Sequence, residues 1–225
     1  MKSVKVFIET GKKKVFTGGV DWPGWSRGGK DEGTALQALI EYGPRYAKVL
    51  KGRDIDFQPP ADTAGLIVIE RNPGNATTDF GAPAVELAAD TDPVDQVEYE
   101  RFRKILEACW QEFDNAVLEA EGKELRKGPR GGGRDLVKIV NHVLDSDRGY
   151  LSKLAWKLKW SEGADLTDEI NQTRQAILDA LEAAINGELP EKGPRGGNVW
   201  KPRYFVRRVT WHVLDHAWEI EDRIV

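Results

Sequence analysis

The chain has 225 residues, 40% of them apolar and 31% charged, which is the composition of a globular protein long enough to bury a sizeable core. A formal net charge of −4 counts against a protein built to coat nucleic acid, and no apolar run approaches the roughly 18 residues of a membrane span. The opening MKSVKVFIETGKKK has no apolar signal-peptide region, and the single cysteine, Cys109, excludes an intramolecular disulfide framework, so a reducing cytoplasm is the expected compartment.

The first 72 residues read as short elements punctuated by glycine and proline. Val4, Val6 and Ile8 alternate with Lys5, Phe7 and Glu9, predicting a half-buried strand over 4–10. GKKK supplies turn chemistry, and VFTGGV over 15–20 reads as the returning strand of a hairpin. DWPGWSRGG is predicted as a loop turned at Pro23 and Gly24, with Trp22 and Trp25 either packing the turn or forming a lid over a neighbouring site. Asp31 is placed to cap a helix that puts Ala35, Leu36, Leu39, Ile40 and Tyr46 along one side. LIVIER over 66–71 is the next strand, which completes a small β-β-α-β unit over 1–72. Residues 73–92 read as a linker.

From residue 93 onward the pattern is helical, with helices expected near 93–121, 134–159, 165–186 and 202–224. Leu166, Ile170, Ile177, Leu181 and Ile185 recur at the spacing of a buried helix face, and Pro202 suits a first helical turn. The short joint KWSEGAD makes the second and third of these helices antiparallel neighbours. The fold class expected is therefore α+β: a small β-β-α-β domain followed by an all-α, four-helix up-down bundle over 93–225.

Two sets of words repeat. KGPRGG followed by HVLD occurs twice, leading into the second and fourth of these helices, which run parallel in an up-down bundle. Aligning the copies pairs His142 with His212 and Ser146 with His216. These three are the only histidines of the chain. His212 and His216 stand at i,i+4, close enough on one helix face for two imidazoles to reach one ion, and His142 from a facing helix would complete a tripod. Three imidazoles with an open position form the ligand pattern of a catalytic zinc site, and neutral imidazole suits nickel, copper and iron equally. Core histidines without a metal are the alternative. Asp145, Asp215 and Glu219 are the nearby carboxylates able to orient an imidazole, with Asp145 and Glu219 expected on a solvated face instead.

IVNHVLDSDRGYL together with RRVTWHVLDHAWEIEDRI resembles the DinB-like superfamily of four-helix metalloproteins, which carry one histidine on the second helix and an H-x-x-x-H pair on the last. The resemblance covers about 93–225 and implies metal ligation by His142, His212 and His216. It further implies a divalent ion, zinc or nickel, a thiol-dependent activity using a low-molecular-weight thiol, and a homodimer. VFTGGVDWPGWSRGGKDEGTALQALIEY is similar to the HicB-like module, a β-β-α-β fold found in antitoxins and as a fused accessory domain. Trp22 and Trp25 depart from that module's usual residues, and its usual DNA-binding segment is not visible.

The function expected is that of a metal-dependent transferase or hydrolase acting on a small, anionic molecule. The alternative is a non-catalytic, metal-stabilised protein whose N-terminal module recognises a partner, and nucleic acid ranks behind both. Lys127, Arg130, Lys192 and Arg195 are expected to cluster at the N-termini of two parallel helices, with Arg130 and Arg195 binding the substrate's or cofactor's anionic tail above the metal. Cys109, in mid-helix without a partner pattern, reads as a small buried hydrophobe.

Overall fold

The computed structural model describes residues 3–127, 133–157, 163–193 and 196–225. Strand β1, Val4–Thr10, pairs antiparallel with β2, Val15–Gly19, which pairs antiparallel with β3, Ser26–Gly29. Helix α1, Glu32–Leu50, then crosses back to β4, Leu66–Pro73, which lies parallel to β1, so the strand order is β3-β2-β1-β4. The expected β-β-α-β unit thus contains one more strand than its sequence suggested. Ser26–Gly29 has two glycines and no apolar residue, so only its pairing with β2 makes it a strand. Asp31 caps α1 as expected, accepting a hydrogen bond from the Thr34 N–H at 2.8 Å.

Both faces of β1 are covered. Val6 and Ile8 join α1 residues in the core. On the opposite face, the Arg207 guanidinium lies 5.2 Å from the centre of the Phe7 ring, and Phe16 meets Trp211 edge-on at 6.1 Å. Residues 73–92, read above as a linker, include the short helix α2, Ala76–Phe80. The buried Glu9 carboxylate ties this segment to the sheet by accepting from the N–H groups of Ala84 and Val85 at 3.0 and 3.1 Å. Asp90 ties it to Arg207 in a buried ion pair.

Four longer helices follow: α3, Gln96–Ala120; α4, Leu136–Lys153; α5, Leu166–Ile185; and α6, Pro202–Arg223. Asp95, Asp135 and Asp165 cap the first three, each accepting from the third residue of its helix. α4 stops at Lys153, short of the expected 159. Ala155 there adopts a left-handed φ of 59°, and the Trp156 N–H closes on the Leu151 carbonyl at 3.2 Å.

The helix directions differ from an up-down order. Glu98 near the start of α3 pairs with Arg203 near the start of α6, while Glu112 in the second half of α3 lies in the field of Glu221 near the end of α6, so α3 and α6 run parallel. α4 runs against α6: Arg134 at its start accepts from Arg223, and Lys153 at its end accepts from the Trp200 N–H at 2.9 Å. α5 runs against α3, with Arg174 bound to Asp114 at 2.7 Å and Tyr99 in the field of Asp179 and Glu182. The order is therefore up, down, down, up, and α4 and α5 are parallel rather than antiparallel. Among the described residues there are six α-helices, and the core is continuous from Val6, Trp25 and Tyr46 through Phe102 and Ile105 to Val213 and Trp218. α1 packs onto α3, and the sheet meets α6 through Phe7 and Phe16, so the N-terminal unit and the four helices share one core. No helix among the described residues is long and apolar enough to cross a membrane.

Candidate metal centre

α6 is buried on almost every side, with Phe205, Val209, Val213, Ala217 and Ile220 fully enclosed, and this holds its polar residues in fixed positions. His212 and His216 fall one turn apart on the side that meets α4. His142 projects towards them from the middle of α4 and is half-buried. His142 and His212, matching residues of the repeated words, meet edge-on across the contact between these antiparallel helices. Their Nε2 atoms are 3.2 Å apart, and the three rings lie 4.6–5.0 Å from one another between centroids.

One ligand atom from each histidine lies within 4.8 Å of the others. Tetrahedral zinc with Zn–N bonds of about 2.0–2.1 Å separates its nitrogens by about 3.3–3.4 Å, so small ring rotations would bring all three onto one ion. Burial, followed by the charge of His216, pushes the His142 pKa down to about 4, and burial holds that of His212 well below the usual value. Both rings are thus neutral at pH 7, the state in which an imidazole ligates.

His216 is oriented by Glu219. Its Nδ1–H donates to Glu219 Oε2 at 2.7 Å, which leaves Nε2 to face the other two rings. Glu219 Oε1 accepts from Arg223 Nη1 at 2.6 Å, and Arg223 is anchored in turn by the carbonyls of Arg126 and Arg134. The His216 hydrogen bond, then the charges of His216 and Arg223, hold the Glu219 carboxyl below its ordinary range. This corrects the expectation of a solvated Glu219. Its i,i+3 spacing from His216 was visible in the sequence, but the sequence did not show which face of α6 turns inward. Asp145 is exposed and sits beside Arg148, while Asp215 pairs with Arg27 at 2.9 Å and orients no histidine. His212 Nδ1 is buried without a partner among the described residues.

Two expectations fall on other ground. Arg130 and Arg195 lie outside the described residues. The segments flanking them do not lie at one end of the helices: Arg126 is bonded to Arg223 at the end of α6, whereas Trp200, beyond the second loop, meets Lys153 at the opposite end. The WPGW turn is packed rather than open. Trp25 is buried and donates to the Leu39 carbonyl at 3.0 Å, and Tyr46 donates to the Pro23 carbonyl at 2.7 Å. Gly24, at φ 95°, sits so close to α6 that a Cβ there would stand 3.1 Å from Leu214. Cys109 is fully buried, and burial pushes its thiol pKa up, away from reactivity.

Fold and site together define an α+β protein with a three-histidine cluster of metal-ligating geometry between two antiparallel helices. The family model of the DinB superfamily matches residues 105–220, just over half of the chain and all three histidines, and the chain belongs to that superfamily, whose members generally bind metal. The match begins beyond the N-terminal unit and lends the HicB-like resemblance no support. No curated protein and no solved structure matched the chain.

Proposed function

We propose that this protein binds a divalent metal ion, zinc or nickel, through His142, His212 and His216, and acts as a metal-dependent transferase or hydrolase on a small anionic substrate. The observation that carries this reading is the convergence of three imidazoles within 4.8 Å, without a carboxylate among them. A divalent ion held there would polarise a carbonyl or lower the pKa of a water or thiol. The chain's own residues have separate tasks. Burial keeps His142 and His212 neutral, Glu219 fixes the proton of His216 at Nδ1, and Arg223 holds Glu219. His142, as the least buried of the three, marks the side from which a substrate approaches. A low-molecular-weight thiol as co-substrate and a homodimeric assembly belong to the same reading and rest on the family resemblance, and the division into 1–72, 73–92 and 93–225 rests on the sequence pattern.

The burial of His212 and His216, 6% and 7% exposed, favours a second reading in which the ion is structural and the N-terminal unit recognises a partner. Elemental analysis of untagged protein, beside His142→Ala and His216→Ala, tests the first premise of both. Near-stoichiometric zinc or nickel that is lost in both variants supports the site. Absence of metal after dialysis against divalent ions makes these core histidines. A melting temperature that collapses on chelation, with no coordination position open to exchange, selects the structural reading.

A further inference from the structure

Arg208 precedes His212 by one turn of α6, so its side chain shares the face that carries the histidines. It is only 7% exposed. Its Nη1 donates to the Pro83 carbonyl, its Nη2 to the Tyr150 hydroxyl at 3.2 Å, and its Nε is buried without a partner. The other three arginines of α6 each meet a carboxylate: Arg203 with Glu98, Arg207 with Asp90 and Arg223 with Glu219. Among the described residues, Arg208 meets none. A guanidinium removed from water and met only by neutral oxygens and the faces of the Tyr150 and Trp211 rings carries a desolvation penalty that an anion would relieve.

The surroundings add donors, and the one carboxyl whose charge reaches Tyr150, that of Asp147, forms no hydrogen bond or ion pair with Arg208 or Tyr150 among the described residues. The Tyr150 hydroxyl accepts from Arg208 and donates to no described group, and its ring lies 5.8 Å from that of His212. Trp211, whose ring centre is 5.3 Å from the Arg208 guanidinium carbon, carries a second buried N–H without a partner. Arg208 and Trp211 also line a narrow cleft between α6, Pro83 and the WPGW turn. Three neutral imidazoles would leave the charge of a bound dication unbalanced beside this arginine.

We propose that Arg208 and Tyr150, with Trp211 beside them, are the anion-binding part of the site and take a carboxylate of the substrate. This rests on the metal-centre reading above for where the rest of the substrate lies. Nη1 is engaged by Pro83, so the guanidinium edge that remains is Nε with Nη2, whose two parallel N–H groups match the two oxygens of a carboxylate. The Tyr150 hydroxyl then turns its proton to the same oxygens. Tyr150, half-buried beside Nη2, marks the side from which the carboxylate reaches this edge. One helical turn separates Arg208 from His212, about 6 Å along the axis, which selects a short-chain carboxylate whose reacting group lies a few bonds from the acid.

The test is calorimetric titration of the full-length protein with succinate, and separately with inorganic phosphate, for wild type, Arg208→Gln and Tyr150→Phe, with metal content measured on each sample. Saturable succinate binding that weakens about tenfold or more in Arg208→Gln, and less in Tyr150→Phe, at unchanged metal content is the expected result. Tyr150→Phe keeps the ring, so it tests the site even if Arg208→Gln does not fold. No saturable succinate binding by wild type overturns the proposal, as does undiminished binding in the variants. Phosphate binding as tightly as succinate through the same residues overturns the carboxylate assignment. Arg208-dependent succinate binding by a protein without metal leaves this proposal standing and removes the metal-centre reading. Normal metal content with Arg208-independent binding does the reverse.

Discussion

Replacing Glu219 with alanine separates a metal centre from a chance meeting of three histidines. The carboxylate accepts from His216 Nδ1 at 2.7 Å and from Arg223 Nη1 at 2.6 Å, so one side chain fixes a ligand's tautomer and balances a buried guanidinium. Arg223 keeps its bonds to the carbonyls of Arg126 and Arg134 at 2.7 and 2.9 Å, so the end of α6 stays tied to the start of α4. The loss therefore falls mainly on His216. That ring is 7% exposed, and little water can replace the missing acceptor. Removing the partner of a metal-ligating imidazole lowers metal affinity by about 10–100-fold. That range corresponds to about 1.4–2.7 kcal/mol, and the burial of His216 places the expected loss in its upper half. The assay is zinc competition against a chromophoric chelator near neutral pH, with urea unfolding of the metal-free protein alongside to separate a weakened site from a weakened fold. Affinity within twofold of wild type, with all three histidines in place, would refute the role given to Glu219.

Asp147 carries the pH prediction. Burial lifts its carboxyl to about 7, and the Oδ1 atom has no partner. The folded state therefore holds this proton more tightly than the unfolded chain, whose Asp titrates near 3.9, so stability falls as pH rises from about 4 to about 7 and stays lower above that. Asp147→Asn is expected to gain up to about 4 kcal/mol over wild type at pH 8 and almost nothing at pH 4; urea midpoints that differ equally at both would refute it. Asp90→Ala leaves Arg207 buried without its carboxylate and is expected to destabilise by about 3–5 kcal/mol. A calorimetric loss below 1 kcal/mol would mean that the carbonyl of Val85 suffices for Arg207. Ala155→Gly relieves a left-handed φ of 59° and is expected to gain about 1 kcal/mol, with a lowered melting temperature as the contrary result.

Much of the site could be read along the chain because it depends on local spacing. The i,i+4 histidines of α6, the apolar periodicity around His142 in α4, and the Asp31 cap before α1 are properties of single helices, and a helix presents the same face whatever it later packs against. The repeated words contain His142 and His212, whose Nε2 atoms lie 3.2 Å apart. Their geometry was misjudged, because a hydrophobic stripe marks which side of a helix is buried and says nothing of which way the helix runs. The choice between up-down-up-down and up-down-down-up lies in the loops and in contacts such as Arg174 with Asp114 and Trp200 with Lys153, residues far apart in sequence.

The same limit explains the smaller misses. Ser26–Gly29 has no strand signature of its own and becomes one only beside β2. Glu219 looked like a surface residue until His216 and Arg223, itself held by the carbonyls of Arg126 and Arg134, engaged its carboxylate. Arg208 is one of two adjacent arginines in RRVTW, and its lack of a carboxylate is a property of the packed interior. The sequence by itself determined which side chains could ligate and on which helices they stand, since that follows from the 3.6-residue period. Only the tertiary structure decided how those helices face one another, and hence which charges are paired, because desolvation and Coulomb energy depend on distances in space rather than along the chain.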